Sequence, residues 1–116
     1  MYRVDGTTIT MTRGDTVIIT VAMKRGSQTY TAQEGDVIRF AVKRAILNRG
    51  ETAYVDQEPL IRKVIPNDTQ ELRLNPDDTK SLAFGTYAYD IEITFANGTV
   101  DTFIAEATLI IAPEVE

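Results

Sequence analysis

Five carboxylates could form the acid–base pair of a hydrolase: Asp77, Asp78, Asp90, Glu92 and Asp101. Glycoside hydrolysis needs two carboxyl groups flanking one bond, one protonated and one ionised. Local sequence accounts for four of the five without catalysis. Asp77 and Asp78 follow Asn75-Pro76 and read as acids at a helix start, where they complement the dipole. Asp90 and Glu92 alternate with Tyr89, Ile91 and Ile93, which puts them on the outward, wet face of a strand. The chain has no histidine and no cysteine. That removes Ser-His-Asp and Cys-His catalysis, disulfides, thiolate metal sites and the commonest zinc and iron ligand sets. No D-x-D-x-D-G calcium loop occurs, so Asp77 and Asp78 could join at most a weak cation site. The reading is a non-enzyme, with no catalytic, cofactor-binding or metal residue and no cofactor.

Other short motifs have equally plain explanations. No glycine-rich phosphate loop of the Walker or Rossmann kind is present. Arg13-Gly14-Asp15 spells the integrin tripeptide, but Gly-Asp between two strands serves a turn. Lys24-Arg25, Lys43-Arg44 and Arg62-Lys63 are spread along the chain and read as solubilising charge and edge protection. With 12 basic against 17 acidic residues the net charge is −5, which argues against non-specific nucleic-acid binding.

The elements that must position these residues have a period of two. Val17, Ile19, Val21 and Met23 form one apolar row. Ile38, Phe40 and Val42 form a second, and Tyr87, Tyr89, Ile91, Ile93 and Phe95 a third. Such rows predict strands with one buried face. Turn signals separate them at Asp5-Gly6, Arg13-Gly14-Asp15, Arg25-Gly26-Ser27, Glu34-Gly35-Asp36, Asn48-Arg49-Gly50 and Pro66-Asn67-Asp68. Asn97-Gly98 predicts a two-residue hairpin between strands 85–96 and 99–112. That register would turn Thr102, Ile104 and Glu106 inward, although Phe103, Ala105, Ala107, Leu109 and Ile111 form the more apolar face. A β-bulge near Val100 to Thr102 is therefore expected. One helical turn is expected near 76–82, with Asn75 as N-cap. The stretch from Lys43 to Leu60 is expected to be a loop or an irregular edge strand.

Leu82-Ala83-Phe84-Gly85-Thr86-Tyr87-Ala88-Tyr89 resembles the tyrosine corner of immunoglobulin-like domains, where a tyrosine returns its hydroxyl to upstream backbone. Tyr87 would take that role and Tyr89 a core position. A plainer alternative has both rings fill the core with hydroxyls at its margin. The expected fold is all-β, an immunoglobulin-like antiparallel β-sandwich of about seven to nine strands, forming one domain over residues 1–116. The N-terminus lacks an apolar signal stretch, and no run approaches the roughly 18 apolar residues of a membrane span. The sequons at Asn67 and Asn97 are therefore read as accidental.

The order of features also resembles a known family. Ile9-Thr10-Met11-Thr12-Arg13-Gly14-Asp15-Thr16 is followed by an apolar strand, then by Gly35-Asp36-Val37-Ile38-Arg39-Phe40-Ala41-Val42-Lys43. Pro59-Leu60-Ile61-Arg62-Lys63, the segment from Leu74 to Ile91, and Asn97-Gly98-Thr99-Val100-Asp101-Thr102-Phe103 complete it. This series is similar to the N-terminal domains of phage baseplate upper proteins and to small proteins found with tail genes of phages and prophages. The resemblance implies a virion structural protein or adaptor that docks to other tail or baseplate proteins, in the virion or in the bacterial cytoplasm before assembly. Homo-oligomers are compatible with it; nucleic acid and membrane partners are not expected. The alternative is a carbohydrate-binding or adhesion module, for which Tyr30 and Tyr54 are the candidate exposed rings. The binding residues themselves are not legible at this stage.

Overall fold

In the computed structural model, which describes residues 1–48, 51–54 and 59–113 (45–48 and 51–54 by their backbone alone), the three apolar rows become the centre of a β protein. The strands are β1 (Tyr2–Asp5), β2 (Thr8–Thr12), β3 (Val17–Thr20), β4 (Met23–Arg25), β5 (Gln28–Tyr30), β6 (Val37–Asn48), β7 (Glu51–Tyr54), β8 (Ile61–Ile65), β9 (Glu71–Leu74), β10 (Gly85–Thr94) and β11 (Val100–Ala112). One helical turn, α1 (Pro76–Thr79), precedes β10.

Seven strands form one sheet in the order β1-β2-β11-β10-β6-β7, with β8 also paired to β6. β3 and β9 make a second, two-stranded layer, and β4 and β5 a separate hairpin. The core cluster draws on both layers. Ile38, Phe40, Val42, Tyr89, Leu109 and Ile111 of the large sheet meet Val17, Leu72 and Leu74 of the small one. Burying the apolar side of each layer against the other is the main driving force for this arrangement.

The all-β expectation holds, with differences in detail. Eleven strand segments occur among the described residues, against about seven to nine expected, because short hairpin arms such as β1, β4 and β5 carry little apolar alternation. The sheet is mixed and not wholly antiparallel: β11 runs parallel to β2, Leu109 opposite Ile9 and Ile111 opposite Met11. Parallel neighbours need a long connection, and here nearly the whole chain supplies it. In the stretch from 43 to 60, β6 continues to Asn48 and pairs antiparallel with β7 at the sheet edge. The turn residues Arg49 and Gly50 lie outside the described residues.

The β10–β11 hairpin closes by three residues and not two. Thr94 pairs with Val100, Phe95 N–H donates to Thr99 O at 2.8 Å and Gly98 N–H to Phe95 O at 2.8 Å. Of the two central candidates only Gly98 has positive φ (+91°), as in a type I turn followed by a left-handed residue. The bulge expected near 100–102 appears further along, as two steps. Ile91 faces Ile104 while Tyr89 faces Ala107, and a second step falls between Ile91 and Glu92. The three-residue turn reverses the parity of the pairing and the two one-residue steps together preserve it, so Ala107, Leu109 and Ile111 face inward, Phe103 is half-buried and Ala105 lies outside. Glu106, at the step between Tyr89 and Ile91, is left-handed with φ +52°.

Candidate functional site

β6 lies between β8 and β10, so the outward residues of three strands form one surface. Across the strands, Arg39 stands between Val64 and Glu92, and Ala41 between Arg62 and Asp90. Lys43 follows Ala41 on the same face. The small Ala41 leaves a dip between the longer side chains. The result is an open groove of about 420 Å³ lined by Arg39, Ala41, Lys43, Arg62, Val64, Asp90 and Glu92, among others. Val64 is 67% exposed among these charged side chains.

Asp90 and Glu92 meet here, as strand alternation requires. Burial, and next the neighbouring Glu92 carboxylate, push Asp90 above the ordinary carboxylate range, while the Lys43 ammonium pulls it back. A cleft acid of raised pKa can serve as a general acid. A glycosidase, however, needs its second carboxyl on the other side of the scissile bond. Here the second is two residues along the same strand, with Arg39 Nη1 4.0 Å from Glu92 Oε1. The other candidates lie elsewhere. Asp78 Oδ2 accepts from Asn75 N at 2.7 Å and pairs with Lys63 Nζ at 2.8 Å. Asp77 sits beside it in the first turn of α1. Asp101 faces Ile93 near the hairpin. Among the described residues no group of three acidic, histidine or cysteine side chains converges as a metal site.

The Arg13-Gly14-Asp15 tripeptide is engaged internally. Arg13 stacks over Phe84, 4.3 Å from the ring centre, and donates to Leu82 O at 3.3 Å. Gly14, at φ +83°, donates its N–H to Thr79 Oγ1 at 2.8 Å. Asp15 accepts from the Met1 amino group. This turn therefore fixes α1 against the strands and is not a free recognition loop.

Both halves of the tyrosine reading are present. Tyr87 donates its hydroxyl to Ala83 O at 2.6 Å, the corner contact. Tyr89 fills the core and donates its hydroxyl to Thr7 O, with burial raising its pKa. At the opposite end, buried Asp36 gathers three donors. Its Oδ2 accepts from Tyr30 Oη at 2.5 Å and Gln33 N at 2.8 Å, and its Oδ1 accepts from Ala96 N at 3.0 Å. The Tyr30 hydroxyl, and next the Gln33 N–H, hold Asp36 below its ordinary pKa. The sequon residue Asn67 joins this cluster, donating to Asp36 O at 2.7 Å.

Tyr30 is thus half-buried, edge-on to Phe95 with ring centres 5.5 Å apart, and is not a free binding ring. The Tyr54 side chain lies outside the described residues. Of the groove residues, sequence reasoning singled out Asp90, Glu92, Lys43 and Arg62, but not their convergence with Arg39 and Val64. Only strand order could reveal that grouping.

No helix among the described residues is long and apolar enough to cross a membrane. No protein-family model, curated protein or solved structure matches the chain.

Proposed function

We propose that this chain is a non-catalytic docking module, a structural or adaptor protein of a phage or prophage tail or baseplate, working in the virion or in the host cytoplasm during assembly. The docking half of the reading is carried by the outer face of β8, β6 and β10. It is a broad, open surface of mixed charge around an exposed valine, built on the strands that hold the core. Such a surface suits recognition by charge pattern, with its arginines as the residues best fitted to anchor a partner. The tail assignment rests on the order of sequence motifs from Ile9 to Phe103. Within the groove the one aromatic residue, Phe40, is 1% exposed, so no ring is offered there for a sugar to stack on.

The test is co-expression of the tagged chain with the tail proteins of the same phage or prophage, followed by affinity capture. Wild type should retain a tail protein. Arg62→Glu with Val64→Ser should lose it while thermal stability stays within about 0.5 kcal/mol of wild type, as for exposed positions. Capture that survives the double change would reject this face. Turnover of a glycan or ester substrate that Asp90→Asn abolishes would reject the non-catalytic reading.

A further inference from the structure

We infer that the free edge of β1 pairs with β1 of a second copy, antiparallel and across a two-fold axis through Val4, joining two large sheets into one. Among the described residues β1 is the outermost strand, bonded to β2 on one side only, and all four of its residues are exposed. Its register with β2 and the bond from Thr12 N–H to Met1 O (3.0 Å) show which backbone groups are used. In an antiparallel ladder the bonded pairs alternate. Met1, Arg3 and Asp5 therefore face β2, and the N–H and C=O of Tyr2 and Val4 point to the open edge.

Only even residues can then bond across a new partner strand, which leaves few registers. With Val4 opposite Val4 of the second copy, Arg3 stands opposite Asp5 of the second copy, and the reciprocal pair forms on the other side of the axis. Both are non-hydrogen-bonded pairs, the kind whose side chains come closest. Sliding by one permitted step in either direction sets Arg3 against Arg3 or Asp5 against Asp5, which like-charge repulsion disfavours. The strand Tyr2-Arg3-Val4-Asp5 is thus complementary in charge to its own reverse, in the only register its backbone polarity and charges both allow.

The other face adds apolar burial. Tyr2 and Val4 point toward the second layer, where the Tyr2 hydroxyl donates to Ile18 O at 2.6 Å and Val4 rims an apolar cleft of about 280 Å³ that also includes Ile9, Ile19 and Ile104. Tyr2, Val4 and Ile18 are 38%, 44% and 39% exposed. The two-fold axis brings both copies of this strip together. Edge strands left in solution usually carry a proline, a bulge or an inward-pointing charge. β1 has none of these; its protections are its four-residue length and the charges of Arg3 and Asp5, which this register sets against each other.

Sedimentation of the full chain from micromolar to millimolar concentration tests this. Wild type should shift from 12.9 kDa to twice that mass. Val4→Pro removes an N–H that β2 does not use and should abolish the shift while leaving circular dichroism unchanged. Arg3→Asp and Asp5→Arg should each weaken association by about tenfold or more, two attractive pairs becoming repulsive. The double exchange Arg3→Asp with Asp5→Arg should restore it to within about threefold. A monomer throughout the range overturns the proposal and leaves the edge to a partner of another sequence. A dimer unaffected by Val4→Pro, or a double exchange as weak as the single ones, also overturns it.

Discussion

Asp36 shows how one side chain can organise an end of the molecule. Its three donors come from β5 (Tyr30), from the turn before β6 (Gln33) and from the β10–β11 turn (Ala96). Arg25 stacks over Phe95, 4.3 Å from the ring centre, and adds positive charge nearby. Because these contacts favour the carboxylate, its folded pKa lies below the ordinary value of 3.8. A depressed carboxylate stabilises the fold fully above its unfolded pKa, and that contribution is lost as pH falls through the folded pKa. Asp36→Asn should therefore lower the urea midpoint near neutral pH. It should also flatten the loss of stability from about pH 5 downward, measured by urea titration at a series of pH values. An acid limb as steep as that of wild type would show that other carboxylates carry it.

At the scale of elements, turn chemistry and strand register decide what the chain can bury. Gly35, at φ +90°, delivers Asp36 to its donors, and a Cβ placed there would lie 2.9 Å from Ala96 Cβ. Gly35→Ala combines left-handed strain with that collision and should cost about 2 kcal/mol, read from chemical denaturation. The β10–β11 pair shows register set by tertiary demand. Local signals placed one extra residue after the turn. The protein instead uses a three-residue turn and two later irregularities, whose net effect gives the same burial of Leu109 and Ile111. Sequence could show that a parity change was needed, because the apolar face was on the wrong side. It could not show where, since any odd net shift satisfies the core equally well.

For the whole molecule, stability should be graded from centre to edge. β6 and β10 are paired along both sides over much of their length and contribute Ile38, Phe40, Val42, Tyr89 and Ile91 to the core. Among the described residues β1 pairs only with β2, and β4 and β5 only with each other. Hydrogen exchange should find the slowest amides in β6 and β10 and the fastest, among strand residues, in β1, β4 and β5. Dimerisation should slow Tyr2 and Val4 selectively at high concentration. The same grading separates the two proposed surfaces: the groove is centred on β6 and β10, which are paired on both sides, with β8 at its rim, and the pairing edge lies on a strand held from one side.

The amino-acid sequence by itself determined the all-β class, the inward rows of β3, β6 and β10 and the helical turn after Asn75, and it narrowed the Tyr87 hydroxyl to an upstream backbone contact or the core margin. These follow from period, turn residues and capping, which act over a few neighbours. Tertiary structure alone decided that β2 runs parallel to β11, that Arg39, Arg62, Val64 and Asp90 share one groove, and that Asp36 joins segments 60 residues apart. Those facts depend on which strand lies beside which. Many strand orders bury the same apolar rows, so local pattern cannot choose among them; the closing of two layers over one core does.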